Sequence, residues 1–177
     1  MPDISGLYND ADRYIASKNY KGFINSYKAI KQFPGTTIDQ LFGDEGITLL
    51  MSAAKHGQLK ILKLLLRQGA DPAIVSEKDG STALTIAAGM YNNTEVIESI
   101  LATNRVDVNH KDASGKSALQ YAVDSCDYFS ACALLDNGAS ASGITVGEVS
   151  SERSFRRDMI VQRLNERSAN EEVSQQL

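Results

Sequence analysis

Tryptophan is absent from these 177 residues, and proline (three), cysteine (two) and histidine (two) are scarce. Each scarcity excludes something. His56 and His110 have neither a cysteine nor a second histidine nearby, so local sequence assembles neither a zinc site nor a histidine-centred triad. Cys126 and Cys132 lie six apart in a helix-like stretch, which is neither a redox Cys-x-x-Cys nor a zinc spacing. They read as reduced packing residues, and no cofactor or metal is expected. No apolar run approaches the roughly 18 residues that cross a bilayer, and the start, Met-Pro-Asp-Ile-Ser, lacks the basic and apolar parts of a secretory signal. Pro2 also excludes myristoylation, which requires glycine there. A basic excess is missing too: the formal charge of −4 divides as +1 over residues 1–42, −4 over 43–142 and −1 over 143–177. Neither nucleic acid nor a membrane is expected as a partner, and the expected place is a cytosol.

What is present is a repeat. Gly46-Ile-Thr-Leu-Leu-Met-Ser-Ala-Ala54, Gly80-Ser-Thr-Ala-Leu-Thr-Ile-Ala-Ala88 and Gly115-Lys-Ser-Ala-Leu-Gln-Tyr-Ala-Val123 align. Their hydroxyl residues Thr48, Thr82 and Ser117 are 34 and 35 residues apart. Each is followed by aliphatics at helical spacing: Ile61-Leu62 with Leu65-Leu66, Val96-Ile97 with Ile100-Leu101, and Ala131 with Leu134-Leu135. A turn signal closes each unit, at Gly69-Ala-Asp71, Asn104-Arg-Val-Asp107 and Gly138-Ala-Ser140. The small pairs Ala53-Ala54 and Ala87-Ala88 keep the first helix thin, and the paired aliphatics of the second fill the seam between units. Two or three buried aliphatics per seam, at about 1.5–3 kcal/mol each, offset the ordering of only a few residues. No unit stands alone. Gly57 marks a left-handed turn after the first helix of unit one. In unit two Gly89-Met-Tyr-Asn-Asn93 is one residue longer.

The layout of turn, short helix, turn and longer helix resembles the ankyrin repeat, with its period of about 33 residues and Thr-Pro-Leu-His-x-Ala core. The matching stretches are Thr48-Leu-Leu-Met-Ser-Ala53, Thr82-Ala-Leu-Thr-Ile-Ala87 and Ser117-Ala-Leu-Gln-Tyr-Ala122. Proline and histidine are replaced in all three, which implies less rigid units. Leu50, Leu84 and Leu119 stay in register. The resemblance implies an all-α solenoid of stacked helical hairpins with short β-hairpin or turn fingers. Residues 1–42 would form a degenerate N-terminal capping repeat, in which Ala16-Ser-Lys-Asn19 sits like Ala54-Lys-His-Gly57. Repeats would follow at 43–77, 78–111 and 112–142. Capping helices would occupy 143–167, beginning at Ser151-Glu-Arg-Ser154 and burying Phe155, Met159-Ile160 and Leu164, with a tail over 168–177 expected to fray.

Other signals read as turn or surface chemistry. Asp112-Ala-Ser-Gly-Lys-Ser117 ends like a phosphate-binding loop, but His110 stands where the earlier glycine belongs and no buried strand precedes it. His56 falls in an exposed turn. Asp44-Glu45 are adjacent in a hairpin and point apart, unlike a catalytic acid and base. Arg156, Arg157, Arg163 and Arg167 are offset by Glu152, Asp158 and Glu166, which suits a solvated capping helix.

Function follows from the resemblance: a non-catalytic protein-protein interaction module, such as an adaptor, scaffold or inhibitor, monomeric when unbound. The partner surface it implies is the concave side. Its finger positions are Asp44, Glu45 and Ile47, then Lys78, Asp79 and Ser81, then Ser114 and Lys116. Its helix-end positions are Lys55 and His56, then Met90 and Tyr91, then Asp124 and Ser125. Met90 and Tyr91 are the strongest anchors, unless their turn folds back on its own helix. Two alternatives remain. One is a secreted bacterial effector acting on a host protein in the host cytosol, which the acidic tail around Glu171-Glu172 resembles; the other is a cryptic nucleotide-binding or enzymatic protein.

Overall fold

The computed structural model describes the backbone of residues 4–147 and 154–175, and the side chains of 4–147 and 156–169. Among these residues there are nine helices and no sheet. They are α1 (Ile4–Ala16), α2 (Tyr20–Gln32), α3 (Leu49–Lys55), α4 (Leu59–Arg67), α5 (Ala83–Gly89), α6 (Thr94–Leu101), α7 (Ala118–Asp124), α8 (Tyr128–Asp136) and α9 (Ser154–Gln175). Helices α1, α3, α5 and α7 stack in one layer, α4, α6 and α8 in a second, and α9 lies on α8. None of the described helices is long and apolar enough to cross a membrane.

The repeat pattern explains the starts of the short helices. Thr48, Thr82 and Ser117 are N-caps whose hydroxyls accept from the amides of Met51, Thr85 and Gln120 at 3.2, 3.2 and 3.3 Å. The residue three positions on, where the family has histidine, differs each time. Thr85 returns the bond, its hydroxyl accepting from the Thr82 amide at 2.8 Å. Met51 offers a weaker sulfur acceptor at 3.5 Å. Gln120 instead pairs with the next segment: its Nε2 donates to the Thr145 carbonyl at 2.8 Å and its Oε1 accepts from the Thr145 amide at 2.9 Å. The lost histidine is thus replaced by three different ties.

The core runs the length of the stack. Leu50, Leu84 and Leu119 are buried, as are Ala53, Ala54, Ala87 and Ala88, and Ile61, Leu62, Leu65, Val96, Ile97, Ile100, Leu134 and Leu135 close the seams. At the N-terminal end Tyr8, Ala11, Ile15, Phe23, Tyr27 and Ile30 supply the cover. The Asp12 carboxylate accepts a hydrogen bond from the fully buried Ser52 hydroxyl, which docks α1 on α3.

Each first helix ends in one left-handed residue: Lys18 (φ 57°), Gly57 (62°), Asn92 (61°) and Cys126 (54°). The end unit is therefore in a register one residue away from the expected one, because Lys18, not Asn19, takes the place of Gly57. Asn19 is instead the N-cap of α2, accepting from the Gly22 amide at 2.9 Å. The cause is the way the turn closes: the amides of Asn19, Gln58 and Asp127 all donate at 2.9 Å to carbonyls five residues back. In unit two the extra residue removes that bond. There Asn93 supplies a side chain, its Nδ2 donating to the carbonyls of Ala54 at 2.9 Å and Ala87 at 3.3 Å.

The fingers carry isolated antiparallel bridges, Phe42 to Ile47, Val75 to Thr82 and Lys111 to Ser117. Neighbouring fingers are tied through their backbones. The amides of Glu77 and Ala113 donate to the carbonyls of Gly46 and Asp79 at 3.1 and 2.8 Å. His110 Nε2 reaches the Gly80 carbonyl at 2.8 Å. Gly46 is required twice over, by its φ of 56° and because a Cβ there would lie 2.5 Å from Glu77 Cβ. Gly46→Ala is expected to cost about 2 kcal/mol, read as a lower urea midpoint at unchanged slope.

At the other end, Ile160 and Leu164 of α9 are buried, and Arg163 pairs with Asp136 of α8 at 2.5 Å. The backbone of α9 continues past Ser168 to Gln175, through a stretch free of glycine and proline. The helix-start residues Ser151, Glu152 and Arg153, and the side chains of Phe155, Glu171 and Glu172, lie outside the described residues.

Candidate functional site

Counting from the three N-caps places equivalent side chains on one face. Four residues on are Ser52, Ile86 and Tyr121, and seven on are Lys55, Gly89 and Asp124. In units one and three the latter reach their own finger. Lys55 Nζ meets Glu45 Oε2 at 2.7 Å, and Asp124 Oδ2 meets Lys116 Nζ at 2.8 Å. Gly89 has nothing to reach with. A groove of about 230 Å³ opens there, between the fingers of units one and two and the first helices. Its lining includes Ile47, Thr85, Ile86, Gly89, Met90 and Tyr121, with Glu45, Lys55, Lys78 and Asp79 at its charged edge.

Seven of the residues expected from the sequence meet in this groove: Glu45, Ile47, Lys55, Lys78, Asp79, Ser81 and Met90. Two of them differ from expectation. Ile47 and Ser81 are not finger tips but the inner arms of their hairpins, 8% and 5% exposed, because each packs beside its N-cap. Asp44 is exposed outside the groove. Ser114 and Lys116 belong to the third finger, where Lys116 also lies 5.4 Å over the Tyr121 ring. His56 is half-buried, with Nδ1 3.0 Å from the Ser52 carbonyl, and Ser125 is the half-buried C-cap of α7. Tyr91 is 58% exposed but not free. Arg156 of α9 donates to its hydroxyl and covers its ring at 5.6 Å, so the inserted turn rests on α9 and not on its own helix.

Ile86, Gly89 and Tyr121 were missing from the sequence-based set. The signal was in the alignment: Ile86 and Tyr121 are large residues within helices otherwise kept thin, and Gly89 falls where the neighbouring units have charged side chains.

The finger carboxylates are set by local bonds. Asp79 is held below its usual range by the Ser76 hydroxyl and the Ser81 amide, with burial opposing. Burial alone would raise Asp112, but the Ser114 and Tyr121 hydroxyls and the amides of Lys116 and Ser114 outweigh it and hold it low. The same contact with Asp112 pushes the Tyr121 phenol up. The Lys55 ammonium keeps Glu45 low. In the Asp112–Ser117 turn, the amides of Ser114 and Lys116 donate to Asp112 Oδ1 at 2.9 and 3.1 Å and are turned inward. Because the folded values of Asp79 and Asp112 lie below the unfolded one, their contribution to stability is complete above about pH 4 and is lost as pH falls through the folded values. The melting temperature should fall below about pH 4, and less steeply in the Asp79→Asn/Asp112→Asn double variant.

Residues 50–143 match the family model for ankyrin repeats, in three copies. The chain is an ankyrin-repeat protein. It is 32% identical over 130 residues to an ankyrin repeat-containing protein of Treponema pallidum (strain Nichols), covering 68% of this chain and 43% of that one. It is 29% identical over 116 residues to the ankyrin repeat protein FPV014 of fowlpox virus (strain NVSL), covering 65% and 26%. With the palmitoyltransferase AKR1 of Lachancea kluyveri it shares 26% identity over 149 residues, covering 82% and 20%. This ankyrin-repeat chain therefore spans less than half the length of each of these relatives.

Proposed function

We propose that this protein is a non-catalytic module that holds a protein partner in the concave groove between its fingers and first helices. Ankyrin repeats imply protein-protein interaction; the groove is our reading of where it happens. The observation that carries it is the open stretch at unit two, where Ile86 and Met90 lie beside the charged edge formed by Glu45, Lys55, Lys78 and Asp79. Apolar floor beside polar rim is the arrangement of interface anchors, and three units with fingers present roughly the 800 Å² per partner of a standard interface.

The phosphate-binding alternative loses support from the inward amides of the Asp112–Ser117 turn. A match that covers 20% of a palmitoyltransferase is slender ground for transferring that enzyme's chemistry. The test is affinity capture with the full chain, followed by measurement on the identified partner. Lys78→Ala with Met90→Ala should weaken binding at least tenfold and leave the melting temperature within about 2 °C. Lys63→Ala with Arg67→Ala, on α4 at the opposite side, should change neither. Equal affinity for the Lys78/Met90 variant and the parent chain would remove the concave reading.

A further inference from the structure

Gly89 is a glycine that the fold does not require. Its φ is not positive, and the left-handed residue of its turn is Asn92, three positions on. A Cβ at position 89 would meet nothing closer than Tyr121 Cδ1 at 3.8 Å, an ordinary contact. It is the last residue of α5, where alanine favours the helix over glycine. A side chain at this position would instead occupy the groove, as Lys55 and Asp124 do in the flanking units by bridging to Glu45 and Lys116. The missing side chain is thus empty space, bounded by Ile86, Met90, Thr85 and Tyr121.

Charge beside this space is unbalanced. On the two fingers that flank it, Asp44, Glu77 and Asp79 have no cationic partner within ion-pair distance among the described residues, against Lys78 of the opposite sign. A guest that brings an apolar side chain down to Ile86 and Met90 meets a net acidic row where it emerges. Complementarity favours a basic neighbour on that guest.

We propose that the space over Gly89 is the specificity pocket of the concave surface, and that it takes one aliphatic or aromatic side chain of a partner-protein segment whose adjacent residue is arginine or lysine. This rests on the concave groove being the binding face. The pocket selects by absence: a large side chain at position 89 would take up space that the guest needs, and its Cβ would meet only an ordinary contact with Tyr121.

The experiment selects phage-displayed random 12-residue peptides on the full chain, then measures the enriched peptides in solution against variants. The expected result is a shared large apolar residue next to arginine or lysine, with affinity at least tenfold lower for Gly89→Leu. That variant should melt no lower than the parent chain. Should it melt lower, Gly89→Lys, which repeats the arrangement of Lys55 and can reach Asp79, gives the same comparison with a side chain already used in unit one. Affinity within threefold on these variants, or an enriched motif with an acidic neighbour or no apolar residue, overturns the pocket. If such peptides still lose binding with Lys78→Ala and Met90→Ala together, only the pocket falls and the concave surface stands. Peptides indifferent to both sets, or no enrichment, overturn both.

Discussion

Replacing Leu84 with alanine should lower the stability of the entire stack by about 3–4 kcal/mol. Leu84 is 1% exposed in α5, and α5 packs on α3 on one side and α7 on the other. Truncation removes the apolar transfer energy and leaves a cavity that neighbours on both sides can only partly fill, which is why buried Leu→Ala changes cost about 2–5 kcal/mol. The effect spreads because no single repeat buries enough to stand alone. Urea unfolding should therefore remain one transition with its midpoint moved down, and thermal melting should drop by about 10 °C. Leu66→Ala, at a half-buried position on α4, is the comparison and should cost less than half as much. Equal losses at the two sites would mean that the units do not share continuous seams.

The second large effect is expected at Asp127. This carboxylate is 2% exposed and serves as the N-cap of α8. It accepts from the Asn92 amide at 2.9 Å, from the Ser130 amide at 3.3 Å and from the Ser130 hydroxyl at 2.9 Å. Ser130 in turn lies 3.0 Å from the Thr94 hydroxyl, so one acidic group joins the lengthened turn of unit two to the helix of unit three. Asp127→Ala leaves three donors short of an acceptor inside the protein. A lost cap costs about 1 kcal/mol, and a stranded buried donor about 1–3 kcal/mol, so a loss of about 3 kcal/mol is expected. Asp127→Asn keeps one acceptor oxygen and should lose roughly half as much. Hydrogen exchange provides the site-specific readout: protection of the Asn92 and Ser130 amides should collapse in the alanine variant before that of the core of α4.

Both residues bear on the groove. Leu84 sits in the helix that carries Ile86 and Gly89, and Asp127 fixes the turn that follows Met90. Variants meant to probe binding should therefore be drawn from side chains that point into the groove. Tyr91 is a poor choice alone, because its contact with Arg156 makes it part of the attachment of α9.

Legibility of the fold from the residues was high where the physics is local. The N-cap hydroxyls, the thin first helices and the paired aliphatics each act within a few residues of themselves, so their recurrence every 34 or 35 positions shows in the chain as written. The longer turn of unit two was equally visible. The one-residue register of the N-terminal unit was not, because lysine can occupy the left-handed site that glycine, asparagine and cysteine fill elsewhere, and no residue type marks it. Nor did composition show that α9 would continue past Ser168, since the polar residues there neither break a helix nor demand one.

The amino-acid order by itself determined the repeat and the class of fold, because those depend on periodic burial and on caps that close over three or four residues. Only the stacked structure decided which charges pair across a finger, that Ile47 and Ser81 turn inward, and that Tyr91 is held by an arginine 65 residues away. It also decided that a groove stays open over Gly89, between the fingers of units one and two. These depend on distances between units, which are set when separate seams close on one another and are written in no single stretch of chain.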